Sequence, residues 1–148
     1  MNSLSECKLV VADEGSRAAI LSLLASSDLP TSDLDDTKTL FACLSNGVVV
    51  GTGGLELFKN SALLRSISVR TDLQKKGLGK FIVNELEKTA RQKGIYELYL
   101  LTTSAKDFFT KEGYEVLDRK DVPPEIKNTA EFSFVCPATA KVMRKFLS

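Results

Sequence analysis

The chain has 148 residues, 43% of them hydrophobic, with 20 basic and 19 acidic side chains and a net charge of +1. That length suits one domain with a real core over residues 1–148, and the even charge balance gives no electrostatic footprint for nucleic acid or an anionic membrane. Histidine is absent, which excludes Ser-His-Asp and Cys-His triads and His-based metal sites within the chain and leaves proton transfer to carboxylates, hydroxyls, lysine or water.

No apolar run approaches the ~18 residues needed to span a bilayer. The segment Met1-Asn2-Ser3-Leu4-Ser5-Glu6-Cys7 has neither a basic region nor a long apolar core, so no secretory signal is expected. Cys7, Cys43 and Cys136 are far apart and in no C-x-x-C pair, as expected of reduced thiols in a cytoplasmic protein. They do not suit a zinc site, and no metal is expected.

In chain order, a first strand is predicted over Lys8 to Ala12. Asp13 then caps a helix to about Ser26, with Ala19, Ile20, Leu23 and Leu24 at helical spacing. Leu29 to Leu34 is a break. Phe41 to Leu44 and Val48 to Gly51 are strands joined at Ser45-Asn46-Gly47, a hairpin signal. Gly53 to Phe58 and Ala62 to Val69 form a second hairpin. A helix follows from about Gly77 to Lys93, with Leu78, Ile82, Leu86 and Ala90 as its buried stripe and Gly94 at its C′ position. Glu87 and Arg91 read as an i,i+4 pair on a solvated face. Tyr96 to Thr102 is apolar on both faces, as in a central strand. Then come a short helix over Ser104 to Glu112, a strand over Tyr114 to Leu117, and a loop at Pro123-Pro124. A strand over Glu131 to Val135 and a helix over Ala138 to Leu147 end the chain.

The densest signal is Gln74-Lys75-Lys76-Gly77-Leu78-Gly79, between an apolar strand and an amphipathic helix. Its glycines permit a tight turn and close approach of a ligand. The helix start offers free N–H groups and a positive dipole end, and Lys75, Lys76 and Lys80 add charge. The pattern suits a pyrophosphate. It is not a P-loop, because position 74 is Gln and position 81 is Phe. It is not a dinucleotide fingerprint, because position 82 is Ile.

The remaining match is Q/R-x-x-G-x-G/A. Here the chain resembles the GNAT superfamily of acetyl-CoA-dependent N-acetyltransferases, and the order of predicted elements is similar over nearly the whole chain. The resemblance implies an α/β GNAT fold. It has one mixed, mostly antiparallel sheet with helices on both faces, splayed between the strands at about 62–69 and 96–102. It implies that acetyl-CoA is the co-substrate. Gln74, Lys75, Lys76, Gly77, Leu78, Gly79 and Lys80 would hold its pyrophosphate, with Ser104 nearby. The backbones of Ile67, Ser68 and Val69 would pair with the pantetheine amides, as a strand pairs with an exposed edge. The Val69 carbonyl or amide would lie near the acetyl group.

Ala105-Lys106-Asp107-Phe108-Phe109-Thr110-Lys111-Glu112-Gly113-Tyr114 resembles the family's A-x-x-x-Y-E-K-x-G-F segment. In many members the aromatic four residues before the glycine is a tyrosine that protonates the departing thiolate. Phe109 stands there in this chain and is read as core packing. Ser104, Thr103 or water are the replacement acids. Leu63-Leu64-Arg65-Ser66, Leu100-Leu101-Thr102-Thr103, Phe108-Phe109 and Phe132-Ser133-Phe134-Val135-Cys136-Pro137 are similar to the arsenic-resistance-associated N-acetyltransferase subgroup. The L-T-T…F-F…G-[FY] pattern is similar to the acetyltransferase domain of N-acetylglutamate synthase. Both imply a small amino acid or analogue as acceptor.

Alternation within Gly53-Gly54-Leu55-Glu56-Leu57 places Glu56 on the sheet face opposite the leucines, where it is the candidate base. Arg65, inside an apolar run on the next strand, would bind an acceptor carboxylate or pair with Glu56. Thr102 and Thr103 would contact pantetheine or acceptor, or else Thr103 or Ser104 would cap the following helix. Thr129 and the 30–34 loop would close over the acceptor. Two further readings stand beside this one: a protein or peptide N-acetyltransferase, and a non-catalytic acyl-CoA sensor favoured by Phe109. A homodimer is left open.

Overall fold

The computed structural model describes residues 7–26, 38–74, 77–129 and 140–147. Strand β1, Cys7–Val11, leads to helix α1, Glu14–Ser26. The helix starts where expected. Asp13 Oδ1 accepts from the Ser16 N–H at 2.8 Å, and Ser16 Oγ accepts from the Asp13 N–H at 3.1 Å. Hydrogen bonding from Ser16, its N–H first and its side chain second, holds the exposed Asp13 carboxyl below its ordinary pKa. Strands β2, Lys38–Ser45, and β3, Val48–Leu57, form a hairpin. Its turn uses left-handed Asn46 and Gly47, at φ 51° and 78°, matching the twist of the strands.

Strand β3 runs unbroken where two strands separated at Gly51 to Gly53 were expected. These glycines serve packing, not a turn. A Cβ on Gly51 would lie 2.7 Å from Ile82 Cδ1, and one on Gly53 would lie 2.6 Å from Leu86 Cδ1. Strand β4, Ser61–Val69, pairs antiparallel with β3. A 3₁₀ turn at Thr71–Leu73 precedes helix α2, Leu78–Gln92. Leu78, Ile82, Leu86 and Ala90 are buried as predicted, and Gly94 ends the helix at φ 81°.

Strand β5, Glu97–Thr102, helix α3, Lys106–Lys111, and strand β6, Glu115–Leu117, follow. Pro124 starts a one-turn helix, α4 (Pro124–Lys127), where a loop was expected, because proline is well suited to the first helical position. The last described element, β7, Lys141–Phe146, is a strand and not the expected helix. It inserts between β5 and β6, with Val142 and Met143 buried in different core clusters. Ladder pairing and burial on both faces outweigh the helix propensity of Lys, Met and Arg. The strand expected at 131–135 and the break at 29–34 lie outside the described residues.

Glu87 also differs from the expected solvated position. It is buried, not solvated. Its carboxylate accepts from the Tyr114 hydroxyl at 2.9 Å and from Lys145 Nζ at 3.0 and 3.1 Å, with Arg91 at 4.0 Å. Tyr114 and Lys145 cover that face from other elements, which helix periodicity alone does not reveal.

The seven strands lie in the order β1-β2-β3-β4-β5-β7-β6. Among the described strands only β4 and β5 are parallel, and their ladder runs from Ser61–Glu97 to Leu63–Tyr99. Beyond Leu63 the two strands part. The sheet is therefore mixed, mostly antiparallel and splayed, as the resemblance implied. Helices α2 and α3 cover one face, over Phe41, Leu55, Leu64 and Leu98. Helix α1 covers the other with Ile20 and Leu24 on Leu40 and Ala42, and Ile126 of α4 packs there on Leu63, Tyr99 and Val142. Among the described residues no helix is long and apolar enough to cross a membrane.

Candidate functional site

Strand β4 is irregular at the point where β5 leaves it. Thr52 pairs with Ser68 and Gly54 with Arg65, so Ser66 and Ile67 together face Gly53. This bulge puts Ser66 in the left-handed region at φ 59°, which costs a residue with a Cβ about 1–2 kcal/mol. The buried Thr52 hydroxyl donates to the Ser66 carbonyl at 2.7 Å and helps to hold the kink. The extra residue resets side-chain alternation. Arg65 and Ser68 thus share the α1 face, whereas Ile67 and Val69 pack toward the α2 core. Beyond Leu63, N–H and C=O groups of β4 that point away from β3 have no β5 ladder partner.

Glu56 and Arg65 come together on the α1 face. Gly54 faces Arg65 in the ladder and also faces Leu40, which packs under α1. A Cβ on Gly54 would lie 3.4 Å from Arg65 Cγ, so the glycine leaves a trough for the arginine stem. The guanidinium is fully buried, 3.9 Å from Glu56 Oε1, and its Nε donates to Ser66 Oγ at 3.4 Å. The Glu56 side chain keeps 12% of its exposure. The pair thus presents one buried cation, one partly solvated carboxylate and, through Ser66, a link to the bulge.

At the other end of the site, the first bond inside α2 runs from the Phe81 N–H to the Gly77 carbonyl at 3.0 Å. The N–H groups of Leu78, Gly79 and Lys80 consequently lack intrahelical acceptors, and among the described residues no side chain caps this end. Gly77 adopts φ 85°, a conformation that favours glycine. Lys80 is exposed. Lys75 and Lys76 lie outside the described residues. Gln74 has an internal role: its Nε2 donates to the Val69 carbonyl at 3.1 Å and ties the strand end to the turn. That bond engages the carbonyl expected near the acetyl group. The ring of Phe108 lies 3.4 Å from where a Gly79 Cβ would stand.

Beyond the end of β5, Thr102 Oγ1 accepts from the N–H groups of Ala105 at 2.9 Å and Ser104 at 3.4 Å. Thr102 therefore organises the turn, a role expected of Thr103 or Ser104. Those two are exposed, and α3 has no side-chain cap. Phe109 is buried and meets Phe108 and Tyr114 edge-on at 5.0 and 5.6 Å. Burial pushes the Tyr114 hydroxyl far above its ordinary pKa, and adjacent Glu87 adds to this. Thr129 is buried and bonds the Ile126 carbonyl at 2.7 Å, within its own turn. Thr52 went unrecognised in the sequence, because its value depends on a bulge in the neighbouring strand.

This architecture matches that of known acetyltransferases. The model of the acetyltransferase (GNAT) family matches residues 6–114, and the chain belongs to that family. The amino-acid acetyltransferase of Mannheimia succiniciproducens is 28% identical over 82 residues, 54% of this chain and 19% of that protein. The uncharacterized protein YyaT of Bacillus subtilis is 35% identical over 89 residues, 57% of this chain and 60% of that protein. N-acetylglutamate synthase from Neisseria gonorrhoeae, solved with coenzyme A and N-acetyl-glutamate, superimposes with a TM-score of 0.81 at 16% identity. It covers 96% of this chain and 35% of its own, a likeness of fold. The chain spans about a fifth of the amino-acid acetyltransferase it matches.

Proposed function

We propose that the chain transfers the acetyl group of acetyl-CoA to the primary amine of a small carboxylate-bearing acceptor, an amino acid or close analogue. The observation that carries this reading is the buried Arg65 beside the partly solvated Glu56, next to the opening of the sheet. A buried guanidinium offers a planar fork that fits a carboxylate. The similarity to an amino-acid acetyltransferase, and the resemblance to the arsenic-resistance-associated subgroup, favour the same acceptor class.

The amides of Leu78, Gly79 and Lys80, which have no intrahelical acceptors, and the exposed Lys80 suit the coenzyme pyrophosphate. The open edge of β4 suits the pantetheine amides. A peptide plane sets the N–H of one residue opposite the C=O of the residue before it. With the Ser66 carbonyl held on the β3 side, the Ile67 N–H points away from β3 and stands to stabilise charge on the thioester oxygen. Glu56 takes the amine proton, directly or through water. The amine nitrogen bonds to the acetyl carbon as the carbon–sulfur bond breaks. Water, Thr103 or Ser104 returns a proton to the thiolate, since Phe109 has none to give.

The test is thiol release from acetyl-CoA with free amino acids and their phosphorus and arsenic analogues, with products identified by mass spectrometry. An active amino acid is then compared with its carboxamide. Loss of turnover with the carboxamide supports Arg65 as the carboxylate site, and equal turnover refutes it. Phe109 favours a second reading, an acyl-CoA sensor. Tight binding of acetyl-CoA without turnover of any amine would establish that one.

A further inference from the structure

Buried threonine is an uneconomical choice for the centre of a strand. Valine has the same shape and needs no hydrogen-bond partner. Thr52 is nevertheless fully buried on β3, and its hydroxyl bonds the Ser66 carbonyl, which the bulge draws toward it, at 2.7 Å. Ser66 is held from a second direction by Arg65 Nε on its side-chain oxygen at 3.4 Å. The Thr52 bond holds the peptide plane of this left-handed residue, the Arg65 contact holds its side chain, and the plane carries the Ile67 N–H on its far side.

We propose that Thr52 is a positioning residue for the thioester, its hydroxyl locking the Ser66–Ile67 peptide so that the Ile67 N–H faces the opening between β4 and β5. Resting on the acetyltransferase reading, this inference adds that the donor is set from behind by a side chain that touches neither substrate. It also joins the two halves of the site. The residue that orients the thioester donor is the one Arg65 holds, and Arg65 lies beside Glu56.

The hydroxyl is removed in Thr52→Val and retained in Thr52→Ser. With the amino acid turned over fastest in the acceptor panel, Thr52→Val is expected to lower kcat about a hundredfold, the scale of a misaligned donor. The affinity for coenzyme A, which lacks the acetyl carbonyl, should stay within about twofold. Thr52→Ser should recover kcat to within about threefold of wild type. A residue that only stabilises the fold would shift the melting temperature without this split.

A second measurement needs no acceptor. In protein labelled with ¹⁵N-isoleucine, Ile20, Ile67, Ile82, Ile95 and Ile126 are the only labelled sites. The Ile67 amide proton should shift with acetyl-CoA and not with coenzyme A in wild type, and that difference should vanish in Thr52→Val. If Thr52→Val does not fold, the wild-type shift decides together with Thr52→Ser, which must keep it. An Ile67 amide that ignores the acetyl group overturns the inference alone. So does a Thr52→Val enzyme with full kcat, or a failure of Thr52→Ser to recover. A wild type that binds neither acetyl-CoA nor coenzyme A overturns the acetyltransferase reading and takes this inference with it.

Discussion

Replacing Glu56 by Gln separates its chemical role from its structural one. At 3.9 Å, with an effective dielectric constant of about 20, the Arg65–Glu56 attraction is about 4 kcal/mol before desolvation is subtracted. Removing one partner of a buried pair costs about 3–5 kcal/mol. The residual exposure of Glu56 places Glu56→Gln at the low end, about 3 kcal/mol. For a domain of this size that lowers the melting temperature by about 9 °C. Loss of the base should reduce kcat about a hundredfold at unchanged acetyl-CoA affinity. Arg65→Met should destabilise by a similar amount and raise the acceptor KM. The double variant should be more stable than the sum of the single losses by at least about 1.5 kcal/mol, because no charge is left opposite an empty partner. Its activity should not recover. Urea melts and thiol-release kinetics on the four proteins complete the cycle. Additive stabilities would refute the pairing, and a wild-type kcat in Glu56→Gln would refute Glu56 as the base.

At the turn proposed to hold the cofactor, a Cβ at Gly79 would meet Phe108 at an ordinary 3.4 Å, so Gly79→Val should fold. It should weaken coenzyme A at least about tenfold by calorimetry, because the side chain would crowd the amides that approach the pyrophosphate. Phe109→Leu should cost about 1–2 kcal/mol of stability through lost edge-on ring contacts, with kcat within a few-fold of wild type. Alkaline stability should fall. Burial pushes the Cys43 thiol from 9.0 up to about 12, and burial with Glu97 pushes the Tyr99 hydroxyl from 10.0 up to about 12. The unfolded chain therefore releases these protons first, and stability present below about pH 9 is lost as the pH rises toward 12. Urea midpoints across that window should decline, less steeply for Cys43→Ala.

Local signals were readable wherever one residue's chemistry decides the geometry. Asp13 marked a helix start, Asn46-Gly47 a hairpin turn and Gly94 a helix end, and each acts within its own turn. The stripe on α2 and the shared face of Glu56 and Arg65 followed from periods of 3.6 and 2. What stayed hidden depends on partners remote in sequence. The bulge at Ser66 is braced by Thr52 on another strand. The burial of Glu87 needs Lys145 and Tyr114. Strand β7 reads locally as a helix and becomes a strand only because β5 and β6 offer ladders on both sides. The expected break in β3 failed because Gly51 and Gly53 accommodate a helix packed above them, and composition cannot distinguish that from a turn.

Those two glycines also gauge length. With no methyl at either position, Ile82 and Leu86 settle almost onto the backbone of β3, and the altitude of α2 above the sheet is fixed by what is missing beneath it. In the function proposed above, the N-terminus of α2 is one end of the span the coenzyme would bridge, and the kink at Ser66 is the other. A chain with alanines at 51 and 53 could present the same charges and the same amides, yet would measure out a different reach between them.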